Sequence, residues 1–389
     1  MNGKELFFLR RLEPIALLIF VTSMSGALSS SVWSVYINSL VNSEAYVGFI
    51  TSGLSAASLF AYIFLIPYLE RHRKVGLYFL TLLATAGIFI SYGIIQNLFI
   101  FIAVATVATL IGAASAISRG EVLRNQTTAK NLGKAESFFY SIGNSSWLIA
   151  ALLAGYIADL FGIKYVFYLS AGFCLIGAVV MKLIHLKETH LPKKVHVNPI
   201  QNIRDFLKKK KLVEAYVLGI GIDFWWGFIY TFVPLFIMEE AGLGVEWVGY
   251  FLAAVVIPLM LLEYFFGRIS DKKGCRVLFL TGYAGLAIAA FLCFWFTNIY
   301  AILAIIVLSS VCAAMVEPTS ESYFLKHTPV KNMDKYYAIY HTAVPLGYFI
   351  SRAVGAVILL FLPWNYIFLG FAAIMGSFSF MAYLFRRDE

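Results

Sequence analysis

The chain has 389 residues, 61% of them hydrophobic, with a mean hydropathy of +0.81 and a formal net charge of +9. Only 13% of residues are charged, roughly half the share of a soluble domain, which excludes a water-solvated enzyme surface and a disordered chain alike. The lysines and arginines sit in short spacers between apolar runs, so the positive charge is a membrane-topology signal and not a nucleic-acid surface.

One bilayer crossing takes ~20 apolar residues. The runs predict helices near 14–38, 45–68, 75–95, 98–118, 135–158, 164–185, 212–238, 246–266, 276–296, 299–320, 336–361 and 363–385. Placing both termini in the cytoplasm, in a cell (inner or plasma) membrane, puts every Lys and Arg on the inside except Lys164, outside, and Arg352, within a span. Lys4, Arg10 and Arg11 before an apolar stretch imitate a signal peptide, but the repeat described next requires that segment as a retained helix. The polar stretch 186–211, with Pro192, Pro199 and the run Lys208 to Lys211, reads as a cytoplasmic linker between a bundle over 1–185 and a bundle over 212–389. Its basic run is either a charge block that keeps the segment inside or a site for anionic lipid. Cys174, Cys275, Cys293 and Cys312 have no ligand spacing, so neither a disulfide frame nor a metal or other cofactor is expected.

A shift of 201 residues superposes the first half on the second. Gly26 falls on Gly227, Val47-Gly48 on Val248-Gly249, Phe64 on Phe265 and Leu77 on Leu278. Thr127, Lys130, Asn131 and Lys134 meet Thr328, Lys331, Asn332 and Lys335, and polar loop residues do not align this way through apolar composition alone. An even number of spans per half gives both halves the same orientation, related by an axis along the membrane normal. The fold class is therefore an all-α membrane protein of twelve spans in two six-helix bundles.

After the eighth span the sequence reads GRISDKKGCR, and the residues Gly267, Asp271, Lys272, Gly274 and Arg276 complete a G-x3-D-[RK]-x-G-x-[RK] pattern. That pattern resembles the signature of the major facilitator superfamily. The copy after the second span, PYLERHRKV, keeps Glu70 and Arg71 but has Ile66 and Arg73 where the glycines belong. The resemblance implies a gate latch at this loop. Physically, Gly267 would let two helices approach, Asp271 would accept hydrogen bonds from a helix N-terminus, and the basic residues would face headgroups. Ala108 to Gly112 keeps only the glycine of the R-x2-Q-G pattern of proton-driven drug exporters, and only Ala154-Gly155 approximates their kink motif in the fifth span.

Spacings of three and four place Thr22, Ser25, Ser29, Trp33 and Tyr36 on one face of the first span, with Asp223, Trp226, Tyr230, Pro234 and Ile237 as their repeat mates. Tyr140, Asn144 and Trp147 share a face of the fifth span, and His341, Pro345, Tyr348 and Arg352 a face of the eleventh. Ser25, Ser29, Trp33, Tyr36, Asn144, Trp147, Trp226, Tyr230, Tyr348 and Arg352 are accordingly expected to line a cavity for a small organic solute. For any one serine or threonine, helix packing is the competing explanation.

An ionisable group at mid-membrane costs ~2.5–3.5 kcal/mol and persists mainly beside a partner or a wet cavity. Asp223, Glu263, Glu317, His341 and Arg352 all lie in the second half, and their repeat mates are uncharged. At ~1.5 Å per residue, Asp223 is roughly 15 Å and Arg352 about 24 Å in from the cytoplasmic ends of their helices, while the others lie within about two turns of the surface. Asp223 and Arg352 read as a central pair, either a coupling site or a structural ion pair. Glu263, Glu317 and His341 are further candidates for carrying protons, with packing as the alternative for the histidine.

These features predict a monomeric secondary active transporter whose partners are a small-molecule substrate, protons and membrane lipids, working by rocking of the two halves. A non-transporting sensor or scaffold on the same fold is the alternative, since fold does not decide function. A membrane enzyme is a weaker third reading, because no nucleophile–base set or His-rich metal box stands out.

Overall fold

The computed structural model describes residues 3–69, 73–124, 132–186, 199–329 and 332–384. Among them, twelve helices are long and apolar enough to cross a membrane. The first half comprises α1 (Gly3–Val41), α2 (Glu44–Leu69), α3 (Lys74–Tyr92), α4 (Leu98–Arg124), α5 (Leu132–Phe161) and α6 (Ile163–Leu183). A short α7 (Pro199–Leu207) precedes α8 (Lys210–Leu235), α9 (Val245–Lys273), α10 (Cys275–Trp295), α11 (Ile299–His327), α12 (Met333–Tyr340), α13 (Ala343–Phe361) and α14 (Asn365–Leu384).

The repeat is visible in where helices begin. Glu44 and Val245, Lys74 and Cys275, Leu98 and Ile299, and Leu132 and Met333 open equivalent helices at the same offset, 201 residues apart. Packing follows the same symmetry. α1 lies on α5 as α8 lies on α13, α3 on α6 as α10 on α14, and α2 on α4 as α9 on α11. The seam between the halves is formed by α5 against α9, by α2 against α13, and by α1 against α8.

Two expected elements differ. The eleventh span is not continuous: it breaks at His341 and Thr342 into α12 and α13. Pro345 has no N–H to donate to the carbonyl four residues earlier, which is that of His341, and its ring crowds that carbonyl. The linker is not all loop either, because α7 is docked by Phe206, fully buried beside Tyr216 and Tyr336, and by a 3.0 Å ion pair from Lys335 to Asp205. The Lys335 amine holds the exposed Asp205 carboxyl below the usual carboxylate range.

The loop of the signature pattern is tight because one residue, Gly274, ends α9 and starts α10 at φ +85°. Only glycine adopts that conformation readily. At the equivalent place Arg73 has φ −66°, so the degenerate copy makes a different turn. Arg276 donates to the Tyr383 carbonyl and lies over its ring, tying α10 to the end of α14. Gly267 does not bring two helices together as expected, since a Cβ there would meet nothing within 4 Å. Glu70 and Arg71, and the side chains of Asp271 and Lys272, lie outside the described residues.

Candidate functional site

The seam is closed at the end opposite the chain termini. Gly249 in α9 sits so close to α5 that a Cβ on it would lie 2.6 Å from the Ala151 carbonyl oxygen and 2.9 Å from the Gly155 Cα. Gly48 in α2 is pressed against α13, where a Cβ would come within 2.7 Å of Ala356. Beside these contacts Asn38 donates to Glu239 at 2.6 Å. The two are repeat mates, so the bond crosses the pseudo-twofold axis and joins α1 to the π-helical turn Phe236–Glu240 that follows α8.

Further toward the terminal end, side chains of the seam are exposed. Tyr140 of α5 touches Glu317 of α11, across the seam, yet remains 48% exposed. Its repeat mate His341 is exposed as well, stacked edge-on against Tyr337 at 4.3 Å. Among the described residues the seam is therefore most tightly packed at the end opposite the termini.

Carboxylates line this part. Glu317 accepts from the Tyr140 hydroxyl at 3.0 Å on Oε1 and from the Trp226 indole at 3.2 Å on Oε2, so one side chain from each half holds it. Glu263 in α9 accepts from Asn144 of α5 at 3.4 Å on Oε2. Its Oε1 is buried without a hydrogen-bond partner among the described residues. Asp223 in α8 packs against Gly347 of α13, where a Cβ would lie 2.6 Å from the Asp223 Cβ, and has no hydrogen-bond partner among the described residues. Glu317 is close enough for its charge to act on both Glu263 and Asp223. Aromatic rings enclose the group: Trp226 and Tyr230 lie 5.9 Å apart, and Trp147 reaches Tyr230 across the seam at 5.4 Å.

α9 and α11 run to Lys273 and His327, each ten residues beyond its glutamate. These helices continue past their apolar cores, so Glu263 and Glu317 lie ~15 Å from the helix ends, and Asp223 lies ~20 Å from the start of α8.

Arg352 does not pair with Asp223. Its guanidinium donates to Ser55 Oγ at 2.7 Å and the Thr51 carbonyl at 3.3 Å, both on α2, and its Nε to Thr231 Oγ1 on α8 at 3.0 Å. It also covers the Tyr348 ring at 4.7 Å. With Ser52 donating to the Phe349 carbonyl at 3.1 Å, these bonds staple α2 to α8 and α13 nearer the closed end. Thr51, Ser55 and Thr231 were not singled out from sequence. Their signal is the i, i+4 polar pair Thr51/Ser55, one turn from Gly48.

The predicted face of α1 turns into its own bundle. Ser25 donates to the Ser170 carbonyl at 2.7 Å and touches Cys174; Tyr36 donates to the carbonyls of Tyr92 and Ile95; Trp33 packs between Tyr92 and Phe101; and Ser29 bonds back to the Gly26 carbonyl. Packing against α3, α4 and α6 engages Ser25, Trp33 and Tyr36, which therefore do not line the seam, while Ser29 is satisfied within its own helix. Asn144, Trp147, Trp226, Tyr230, Tyr348 and Arg352 do lie at the seam with Glu263 and Glu317, whereas Asp223 packs on α13 of its own half.

The sequence matches the Major Facilitator Superfamily over residues 15–262 and again over 215–389. The chain belongs to that superfamily. It is 23% identical over 224 residues to an uncharacterized MFS-type transporter of Methanocaldococcus jannaschii, covering 57% of this chain and 58% of the relative. It is 30% identical over 156 residues to the multidrug resistance protein MdtG of Serratia proteamaculans, covering 39% and 36%. With a bicyclomycin resistance protein homolog of Haemophilus influenzae it shares 25% over 187 residues, 46% of each chain. The chain thus spans about half the length of these relatives or less. Among solved structures, the nucleoside transporter NupG superposes with a TM-score of 0.78 at 13% identity, covering 96% of this chain and 99% of that one. A POT family transporter in complex with a thioalcohol-conjugated peptide superposes at 0.83 and 12% identity, covering 97% and 96%. These likenesses show the fold. This superfamily member is a multi-pass membrane protein whose relatives are transporters.

Proposed function

We propose that the protein is a secondary active transporter that carries a small organic solute through the seam by alternating access, with protons as the coupling ion. The observation that carries this reading is Glu317, held by Tyr140 of one half and Trp226 of the other at the seam. A carboxylate bonded across two moving bodies changes their interaction when it gains a proton, because the charged form is the stronger acceptor. Glu263, with one oxygen bonded across the seam to Asn144 and the other unsatisfied, offers an acceptor to a solute that carries a donor group. Asp223 and His341 complete the proton-carrying set. Trp226, Tyr230, Trp147 and Tyr348 supply flat apolar walls of the kind that enclose small organic ligands.

The same reading places the protein in the cell membrane as a monomer with cytoplasmic termini, so that the exposed end of the seam faces inward. It takes residues 1–185 and 212–389 as the rocking bodies, and the loop of Gly267, Asp271, Lys272, Gly274 and Arg276, together with Glu70 and Arg71, as the inner latch. Proteoliposomes with an imposed pH gradient, screened against a panel of radiolabelled solutes, test it. Once a solute is found, Glu317→Gln should abolish accumulation driven by the gradient while leaving solute binding measurable. Solute accumulation that is indifferent to the proton gradient in the wild type would remove protons from the mechanism, and the absence of any transported solute would favour a sensor.

A further inference from the structure

Where α7 turns into α8, a groove of about 410 Å³ is lined by Leu207, Lys208, Lys210, Val213, Val217 and Met381. Its chemistry changes with depth. Lys208 and Lys210 are exposed at the level where the α8 span begins. Val213 and Val217 follow on α8 at ~5 and ~10 Å deeper into the bilayer. Met381, near the end of α14, supplies another part of the apolar lining, and Leu207 is 58% exposed beside the lysines. The acid at the groove, Glu214, is 4% exposed and accepts from the Tyr323 hydroxyl at 2.8 Å, so its charge is engaged toward the bundle. Lys210 approaches it only to 3.9 Å and keeps 75% of its side chain exposed. The rim is fixed, because buried Phe206 and the Asp205–Lys335 ion pair anchor α7.

We propose that this groove binds an anionic phospholipid, its phosphate on Lys208 and Lys210 and one acyl chain along Val213, Val217 and Met381. Two amines at the headgroup level above an apolar trough match the order of charge and hydrocarbon in such a lipid, and a zwitterionic lipid would bring its own cation to the same lysines. Bound there, the lipid would clamp the linker helix to the second half.

The purified full-length chain, in detergent, is incubated with phosphatidylglycerol or phosphatidylcholine of matched chains, and retained lipid is counted by native mass spectrometry. Each lysine near anionic headgroups contributes about a fivefold preference, so two give on the order of 30-fold for phosphatidylglycerol. Lys208→Gln with Lys210→Gln should bring the preference close to unity. Met381→Trp, which fills the trough and leaves the charges alone, should lower phosphatidylglycerol retention too, and retention should fall as the acyl chains of the wild-type ligand are shortened. Equal retention of the two lipids by the wild type overturns the proposal. So does competition by glycerol phosphate as effective as by the whole lipid, which would mark a phosphate site without a chain. Indifference to both Met381→Trp and chain length would reduce the effect to diffuse attraction and overturn it as well.

Discussion

Gly249→Ala gives a direct test of whether the shut end of the seam is one of two alternating states. The added methyl would meet the Ala151 carbonyl oxygen at 2.6 Å, the Gly155 Cα at 2.9 Å and the Gly155 nitrogen at 3.1 Å. All three atoms are backbone of α5, so no side chain can turn aside, and α5 and α9 must part by about 0.5–0.8 Å. Overpacking of this kind costs ~1–3 kcal/mol. Alanine regains ~0.5–1 kcal/mol of helix propensity over glycine, but does so in either state. If the contact exists only when this end is shut, the cost shifts the population toward the other state by ~5- to 150-fold. The assay is a distance distribution between spin labels on cysteines replacing Tyr156 and Tyr250, both exposed beside the glycine contact. Gly249→Ala should move weight to longer distances, whereas Gly143→Ala, whose Cβ would meet only Ser23 Oγ at 3.9 Å, should not. A Gly249→Ala distribution and unfolding temperature both equal to wild type would refute the reasoning.

Asp223→Asn should abolish gradient-driven accumulation while retaining downhill exchange, since the amide resembles the protonated acid; full accumulation in that variant would move coupling to Glu263 or Glu317. Arg352→Ala should lower stability by ~1.5–3 kcal/mol, the worth of hydrogen bonds from a charged group. Because Arg352 binds Thr51, Ser55 and Thr231 and not Asp223, a double-mutant cycle with Asp223→Asn, read by thermal unfolding, should be additive within ~0.5 kcal/mol. A coupling of several kcal/mol would reveal an ion pair. The lowered pKa of Asp205 means its bond to Lys335 contributes stability above the unfolded carboxylate value of ~3.9 and loses it as pH falls through the depressed folded value. Proteolysis of the linker across that acidic window should therefore rise more steeply in wild type than in Lys335→Met.

The twelve spans, the offset of 201 residues and the concentration of ionisable groups in the second half were all legible in the chain. They rest on local quantities, apolar run length and charge at a given position, which the bilayer itself reads. The faces were not legible. α1 and α8 are the most heavily buried spans, and a helix buried nearly all round has no polar stripe to say which side meets which neighbour. Hence Ser25, Trp33 and Tyr36, at faultless helical spacing, turned into their own bundle, while Trp226 and Tyr230 on α8, the mates of Ser25 and Ser29, came to the seam. Two of the three partners of Arg352 lie about three hundred residues away on α2, and whether Glu263 and Glu317 come together depends on how α9 and α11 pack. Sequence set which residues enter the membrane, because that is decided between chain and solvent. Packing of one half on the other set which of them meet, because that is decided only between helices.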